Sequence, residues 1–129
     1  LGDVYKRQDM GCFDDTIIRV LGQCDSVLIE ANHDINMLQV GPYPYSLKMR
    51  ILGNKGHLSN TSCADLIKEI LHKDLKHLVL GHLSRENNFP QLAYRTVLDE
   101  LEKTETWGTL DTRLMVASRD EPTELLKIN

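Results

Sequence analysis

The sequence predicts an α/β layered domain, and three observations carry that prediction. Two short apolar runs, 26–30 and 77–80, have the length and lack of alternation expected of buried parallel strands. Two longer segments, 60–72 and 91–103, repeat apolar residues at helical spacing. These strands and helices alternate along the chain, the order that lays helices against a parallel sheet.

Taken in order, the first element is a short amphipathic helix over Phe13 to Leu21. Its apolar residues fall at 13, 17, 18, 20 and 21, Asp14 and Asp15 in its first turn complement the helix dipole, and Gly22 ends it. Ser26-Val27-Leu28-Ile29-Glu30 is a strand that terminates in an acid, followed by a polar turn, Ala31-Asn32-His33-Asp34. Gly41-Pro42-Tyr43-Pro44-Tyr45 is incompatible with regular helix. Ser46 can cap a helix through Leu52, broken by Gly53-Asn54-Lys55-Gly56. Ser59 or Asn60 caps the clearest helix, whose buried stripe is Cys63, Ala64, Leu66, Ile67, Ile70 and Leu71. The strand 77–80 leads through Gly81 to His82, and the second long helix buries Leu92, Ala93, Val97, Leu98 and Leu101. Arg113 to Ala117 is a closing strand, and Glu124 to Ile128 a short edge strand.

The whole chain sets bounds on function. At 129 residues, 41% hydrophobic and 26% charged, it has the composition of one globular domain. No stretch approaches a membrane span, and the N-terminus lacks a secretory signal, which predicts a cytoplasmic protein. Cys12, Cys24 and Cys63 form an odd set without CxxC spacing, as expected of buried reduced thiols rather than a disulfide framework or a zinc knuckle. A net charge of −4 argues against binding nucleic acid through a uniformly basic surface. Lys48, Arg50 and Lys55 nevertheless make a local basic cluster before His57, suited to a phosphate or simply to a solvated helix face. Residues 1–8 stand outside the pattern and resemble translated adapter sequence, so the reading takes 9–129 as a partial domain.

Chemistry concentrates near predicted strand ends. Gly56-His57-Leu58-Ser59 is echoed by Gly81-His82-Leu83-Ser84, and the second copy follows a strand directly, where α/β sheets present functional groups. An imidazole there can ligate a metal or move a proton. Asp9, Glu30, His33 and Asp34 lie near other strand ends. Each has a plain structural alternative: a turn or capping Asp, a hydrogen-bonded buried His, a helix-start His.

Five segments in order, Asp9-Met10-Gly11, Glu30-Ala31-Asn32-His33-Asp34, Gly41-Pro42-Tyr43-Pro44-Tyr45-Ser46-Leu47-Lys48, Gly56-His57-Leu58-Ser59-Asn60 and His82-Leu83-Ser84-Arg85-Glu86-Asn87-Asn88, resemble the metallo-β-lactamase-fold hydrolases, and among them the bacterial YycJ/WalJ-like proteins. The resemblance implies the C-terminal half of an αββα sandwich. It implies two divalent metal ions, zinc in the first instance with manganese or iron as alternatives, to which Asp9 and His82 would be ligands. It also implies His57 as the proton-transfer residue, oriented by Glu30. From their own positions, His33 and Asp34, which directly follow Glu30, and Lys55 of the basic cluster are candidate substrate contacts. The implied activity is a phosphodiesterase or nuclease, such as a 5′→3′ exonuclease on double-stranded DNA. Alternatives are a thioester or lactone hydrolase and a non-catalytic regulatory binding protein. The HxHxDH ligands of the family are absent from these residues, so the segment alone is expected to be inactive. A half sandwich should further leave apolar side chains of its strands exposed on one sheet face.

Overall fold

The computed structural model describes residues 15–47 and 57–117. Their elements run α1 (Asp15–Leu21), β1 (Ser26–Glu30), α2 (Ile35–Val40), α3 (Asn60–Ile70), β2 (His77–Gly81), α4 (Pro90–Glu102), a 3-10 turn (Trp107–Thr109) and β3 (Arg113–Val116). This is the mixed α/β arrangement expected. The helix anticipated over 46–52 lies largely outside the described residues, and the edge strand over 124–128 lies wholly outside them.

The described strands form one parallel sheet in the order β1-β2-β3. Val27 pairs with Leu78 and Leu78 with Leu114; Ile29 pairs with Leu80 and Leu80 with Val116. Because side chains alternate across a strand, these residues share one face. Each step from strand to neighbouring strand moves the same way across the sheet, so crossovers of one hand put both connecting helices on one side. Accordingly α3 and α4 pack against each other as well as on the sheet.

That side is the core. Leu66, Ile67 and Ile70 of α3, with Ala93, Val97 and Leu101 of α4, meet Val27, Ile29, Leu78, Leu80 and Leu114. Full burial of a Leu or Ile side chain contributes about 1.5–3 kcal/mol, so this layer supplies most of the cohesion. Leu92 and Leu98, expected in the α4 stripe, are only half-buried, at the margin of the helix's apolar face. Pro90 begins α4 at the position where a missing N–H costs nothing. In α3, Ser59 caps through Oγ, which accepts from the Ser62 amide at 3.0 Å.

On the other sheet face Val79 is buried, and Leu28 and Met115 are half-buried. The bare apolar face expected of a half sandwich is therefore not seen among the described residues. Cys24 and Cys63 are buried and take part in no disulfide, as expected. Burial, followed by the nearby Glu30 charge, pushes the Cys63 thiol far up and keeps it protonated. No described helix is long and apolar enough to cross a membrane.

One element departs from expectation. The stretch between the polar turn and Gly41 folds as helix α2, because Asp34 adopts extended backbone and its Oδ2 accepts from the Met37 amide at 3.0 Å. The capped turn buries Leu38 completely. Gly41 then closes the helix where there is no space for a side chain: a Cβ would meet Met37 O at 2.9 Å and Asn87 Oδ1 at 3.0 Å.

Candidate active site

Beyond the C-terminal end of β1 the chain keeps pairing, and that pairing builds the site. Ala31 N–H donates to Gly81 O at 3.0 Å, Asn32 N–H to Leu58 O at 2.9 Å, and Asn60 N–H to His33 O at 2.9 Å. On the other flank Ser84 N–H donates to Asn32 O at 2.7 Å and Asp34 N–H to Asn87 O at 2.8 Å. Residues 31–34 thus run between segment 57–60 and segment 82–87. Two imidazoles carried by different loops are brought to the end of one strand.

Glu30, the last residue of β1, is where they meet. Its side chain is fully buried, and each carboxylate oxygen is engaged. Oε1 accepts from the Leu58 amide at 2.9 Å. Oε2 accepts from Nδ1 of His57 at 2.7 Å and also from Nδ1 of His82. A buried carboxylate without partners would cost several kcal/mol, and here three donors offset that cost. The imidazole side chains are 33% and 39% exposed, so the cluster opens outward from the buried carboxylate. Their ring centroids are 5.2 Å apart. One ligand atom from each of Glu30, His57 and His82 lies within 4.8 Å of the others, close enough for the group to hold a metal ion.

His82 reaches this position with φ of 58°, the left-handed region that non-glycine residues adopt sparingly. The conformation costs on the order of 1–2 kcal/mol. Surrounding bonds hold it: Asn32 Nδ2 donates to His82 O at 2.9 Å, while Asn32 itself is fixed through Ser84. Such a conformation persists only where the surrounding structure over-determines it, as these bonds do here.

The remaining expected site residues fall elsewhere. His33 is only 2% exposed, and its Nδ1 lies 3.3 Å from Asn32 Oδ1. Burial first, and the neighbouring His57 second, lower its pKa to about 4, against a smaller raising effect of Asp34. Its backbone bridges to Ser59, and its buried ring is less accessible to a substrate than those of His57 and His82. One oxygen of Asp34, also expected at substrate, is taken by the α2 cap. Asp9 and Lys55 lie outside the described residues.

The sequence does not single out Asn32, Asn60 or Asn88 as site groups; Asn60 enters it only as a candidate helix cap. In the structure Asn88 Nδ2 donates to Asn60 Oδ1 at 2.8 Å and to Ala31 O at 2.9 Å, while Asn60 Nδ2 donates back to Asn88 Oδ1 at 3.0 Å. This buried amide pair joins the loops bearing Glu30, His57 and His82. The one available signal was the Asn87-Asn88 pair just before a helix that lacks a side-chain cap.

No family model matches the chain. It is similar to proteins named exodeoxyribonuclease WalJ from Streptococcus pneumoniae strains D39 and R6, being 38% identical to each over 120 residues. That alignment covers 93% of this chain and 45% of those relatives. It is also 37% identical over 95 residues to exodeoxyribonuclease YycJ of Bacillus anthracis, covering 74% of this chain and 36% of the relative. The YycJ/WalJ-like resemblance is thereby borne out, and the chain spans about half the length of the curated WalJ relatives it matches.

Proposed function

We propose that this chain belongs to a metal-dependent exodeoxyribonuclease built on the metallo-β-lactamase αββα scaffold, and that its Glu30–His57–His82 cluster is part of the catalytic centre. The observation that carries the reading is the sharing of one buried carboxylate by two partly exposed imidazoles, in a chain whose relatives are named exodeoxyribonucleases. Those names favour DNA over a thioester or lactone substrate, and catalysis over a purely binding role.

The donor set fits a divalent ion. Imidazole nitrogen with carboxylate oxygen suits zinc, manganese or iron, and zinc is the first candidate. His82 would hold metal together with Asp9, and further ligands would come from the rest of the protein. Bound metal ions would supply Lewis-acid stabilisation of charge developing on the scissile phosphate.

The residues in hand account for the proton. His57, oriented by Glu30 through Nδ1, presents its other ring nitrogen toward the open side of the cluster. In its imidazolium form, protonated on both ring nitrogens, it donates the Nε2 proton to the departing 3′ or 5′ oxygen of the cleaved phosphodiester and is left as the Nδ1–H imidazole. Lys55 would contact the substrate phosphate. The negative net charge of the chain favours DNA recognition at this local centre over binding across the whole surface.

The test is hydrolysis of end-labelled linear DNA by the complete protein with added Zn²⁺ or Mn²⁺. His57→Ala should lower kcat about 10²- to 10⁴-fold with metal content retained, whereas His82→Ala should reduce metal content as well as rate. Equal activity of wild type and both variants would refute the assignment.

A further inference from the structure

The two histidines are not independent groups. Resting on the metallohydrolase reading above, we infer that Glu30 is a common positioning residue for both imidazoles: it fixes His57 and His82 in one tautomer, so that metal retention and proton transfer depend on a single carboxylate.

The geometry supports this from three sides. Oε1 is occupied by the Leu58 amide, which orients the carboxylate and leaves Oε2 facing both Nδ1 atoms. An ionised carboxylate only accepts hydrogen bonds, so the proton of each neutral imidazole sits on Nδ1 and the lone pair on Nε2. The carboxylate is fully buried whereas the imidazoles are one-third or more exposed, so the ring edges away from Glu30 are the ones available to a metal or a substrate oxygen. Hydrogen bonding at one ring nitrogen sets which nitrogen ligates and raises its basicity. The separation between Glu30 Oε2 and His57 Nδ1 is 2.7 Å, a hydrogen-bond length. Two ligands of one tetrahedral zinc, each about 2.0–2.1 Å from the metal, would stand roughly 3.3 Å apart. At the shorter separation seen here the carboxylate serves the imidazoles as a hydrogen-bond acceptor.

Glu30 lies 52 residues before His82 and 27 before His57, and one oxygen atom serves both. An isosteric change should therefore act on both rings together. In Glu30→Gln the amide oxygen can still accept from Leu58, which turns the amide nitrogen, a donor, toward the two Nδ1 atoms. Each imidazole would then accept at Nδ1 and carry its proton on Nε2, the nitrogen that has to be free for metal.

The test uses protein labelled with ¹⁵N-histidine, with long-range ¹H–¹⁵N correlation at pH 8 and a Zn²⁺ titration. In the wild type, His57 and His82 should both be Nδ1–H tautomers, and zinc should attach at Nε2 of His82. In Glu30→Gln both rings should switch to Nε2–H, with zinc affinity about 10- to 100-fold weaker. The wild-type spectrum decides the tautomers even if the variant does not fold, and Glu30→Asp provides a second variant that keeps the charge while shortening the reach; it should release at least one ring from the Nδ1–H form. The proposal is overturned by an Nε2–H tautomer at either wild-type histidine, by tautomers unaffected in a folded Glu30→Gln, or by zinc bound at Nδ1. Nδ1–H tautomers that switch in Glu30→Gln, without any zinc uptake by the complete protein, would uphold the positioning role and overturn the metallohydrolase reading instead.

Discussion

The helix-covered face of the sheet and the loop rim at its end are built from opposite materials. The face is apolar: α3 and α4 press Leu66, Ile67, Ile70, Val97 and Leu101 onto Val27, Ile29, Leu78 and Leu80. The rim is polar and directional: Glu30, His57, His82, Asn32, Asn60 and Asn88 are joined by hydrogen bonds between segments far apart in sequence. Burial of hydrocarbon has no preferred direction and tolerates exchange of one apolar residue for another of similar size. A hydrogen-bonded rim tolerates no such exchange, because each lost partner leaves another group unsatisfied. The face supplies stability; the rim uses some of it to hold His82 in an unfavourable conformation.

The sharpest way to break this division is to perforate the face. Leu66→Ala should cost about 2–5 kcal/mol of unfolding free energy, the range for a fully buried leucine. Chemical denaturation measures the loss, and the folded fraction should keep wild-type histidine tautomers. A change at the histidines comparable to that of Glu30→Gln would mean the two regions are one.

Acid offers a second probe, confined to the rim. His33 titrates near 4 when folded and near its ordinary 6.5 when unfolded, so the unfolded chain takes up the proton first as pH falls. The stability this imidazole contributes is complete above pH 6.5 and disappears between 6.5 and 4, up to about 3 kcal/mol in all. Denaturation midpoints across that window should fall with pH in the wild type. In His33→Gln the dependence should be visibly flatter; an unchanged slope would assign the acid sensitivity to other groups.

Asn88→Ala comes next in size. It deprives Asn60 and Ala31 O of a buried partner and should cost about 1–3 kcal/mol. Unlike Leu66→Ala, it should also shift the imidazole resonances of His57 and His82, because it loosens the loops that carry them. The smallest expected effect is Lys68→Ala, which removes the partly exposed ion pair with Glu100 between α3 and α4, N···O 2.9 Å. Less than about 1 kcal/mol should be lost, with no response at the rim.

The same contrast governs what was legible in the sequence. The strands 26–30 and 77–80 and the helices near 60–72 and 91–103 were readable because the face is written as periodicity, which each segment carries by itself. Helix α2 escaped because its six residues lie between a cluster of turn formers and Gly41-Pro42; only the Asp34 cap betrays it. At the rim, the resemblance suggested Glu30 beside His57, and the structure places them 2.7 Å apart. That His82 shares the same carboxylate oxygen follows from the register of β1 with β2, which pairs Glu30 with Gly81 and which no local pattern encodes. The Asn60–Asn88 pair escaped for the same reason: locally, each asparagine looks like a helix-start residue.

The left-handed backbone at His82 sets selection for durability against selection for chemistry. Glycine or asparagine would occupy that conformation at less cost than histidine. Laboratory evolution of this protein for heat resistance alone should therefore drift toward glycine or asparagine at position 82, gaining robustness as it discards the imidazole. On the proposed function, a screen that also demands DNA cleavage should keep histidine there and find its stabilising changes on the helix-covered face instead.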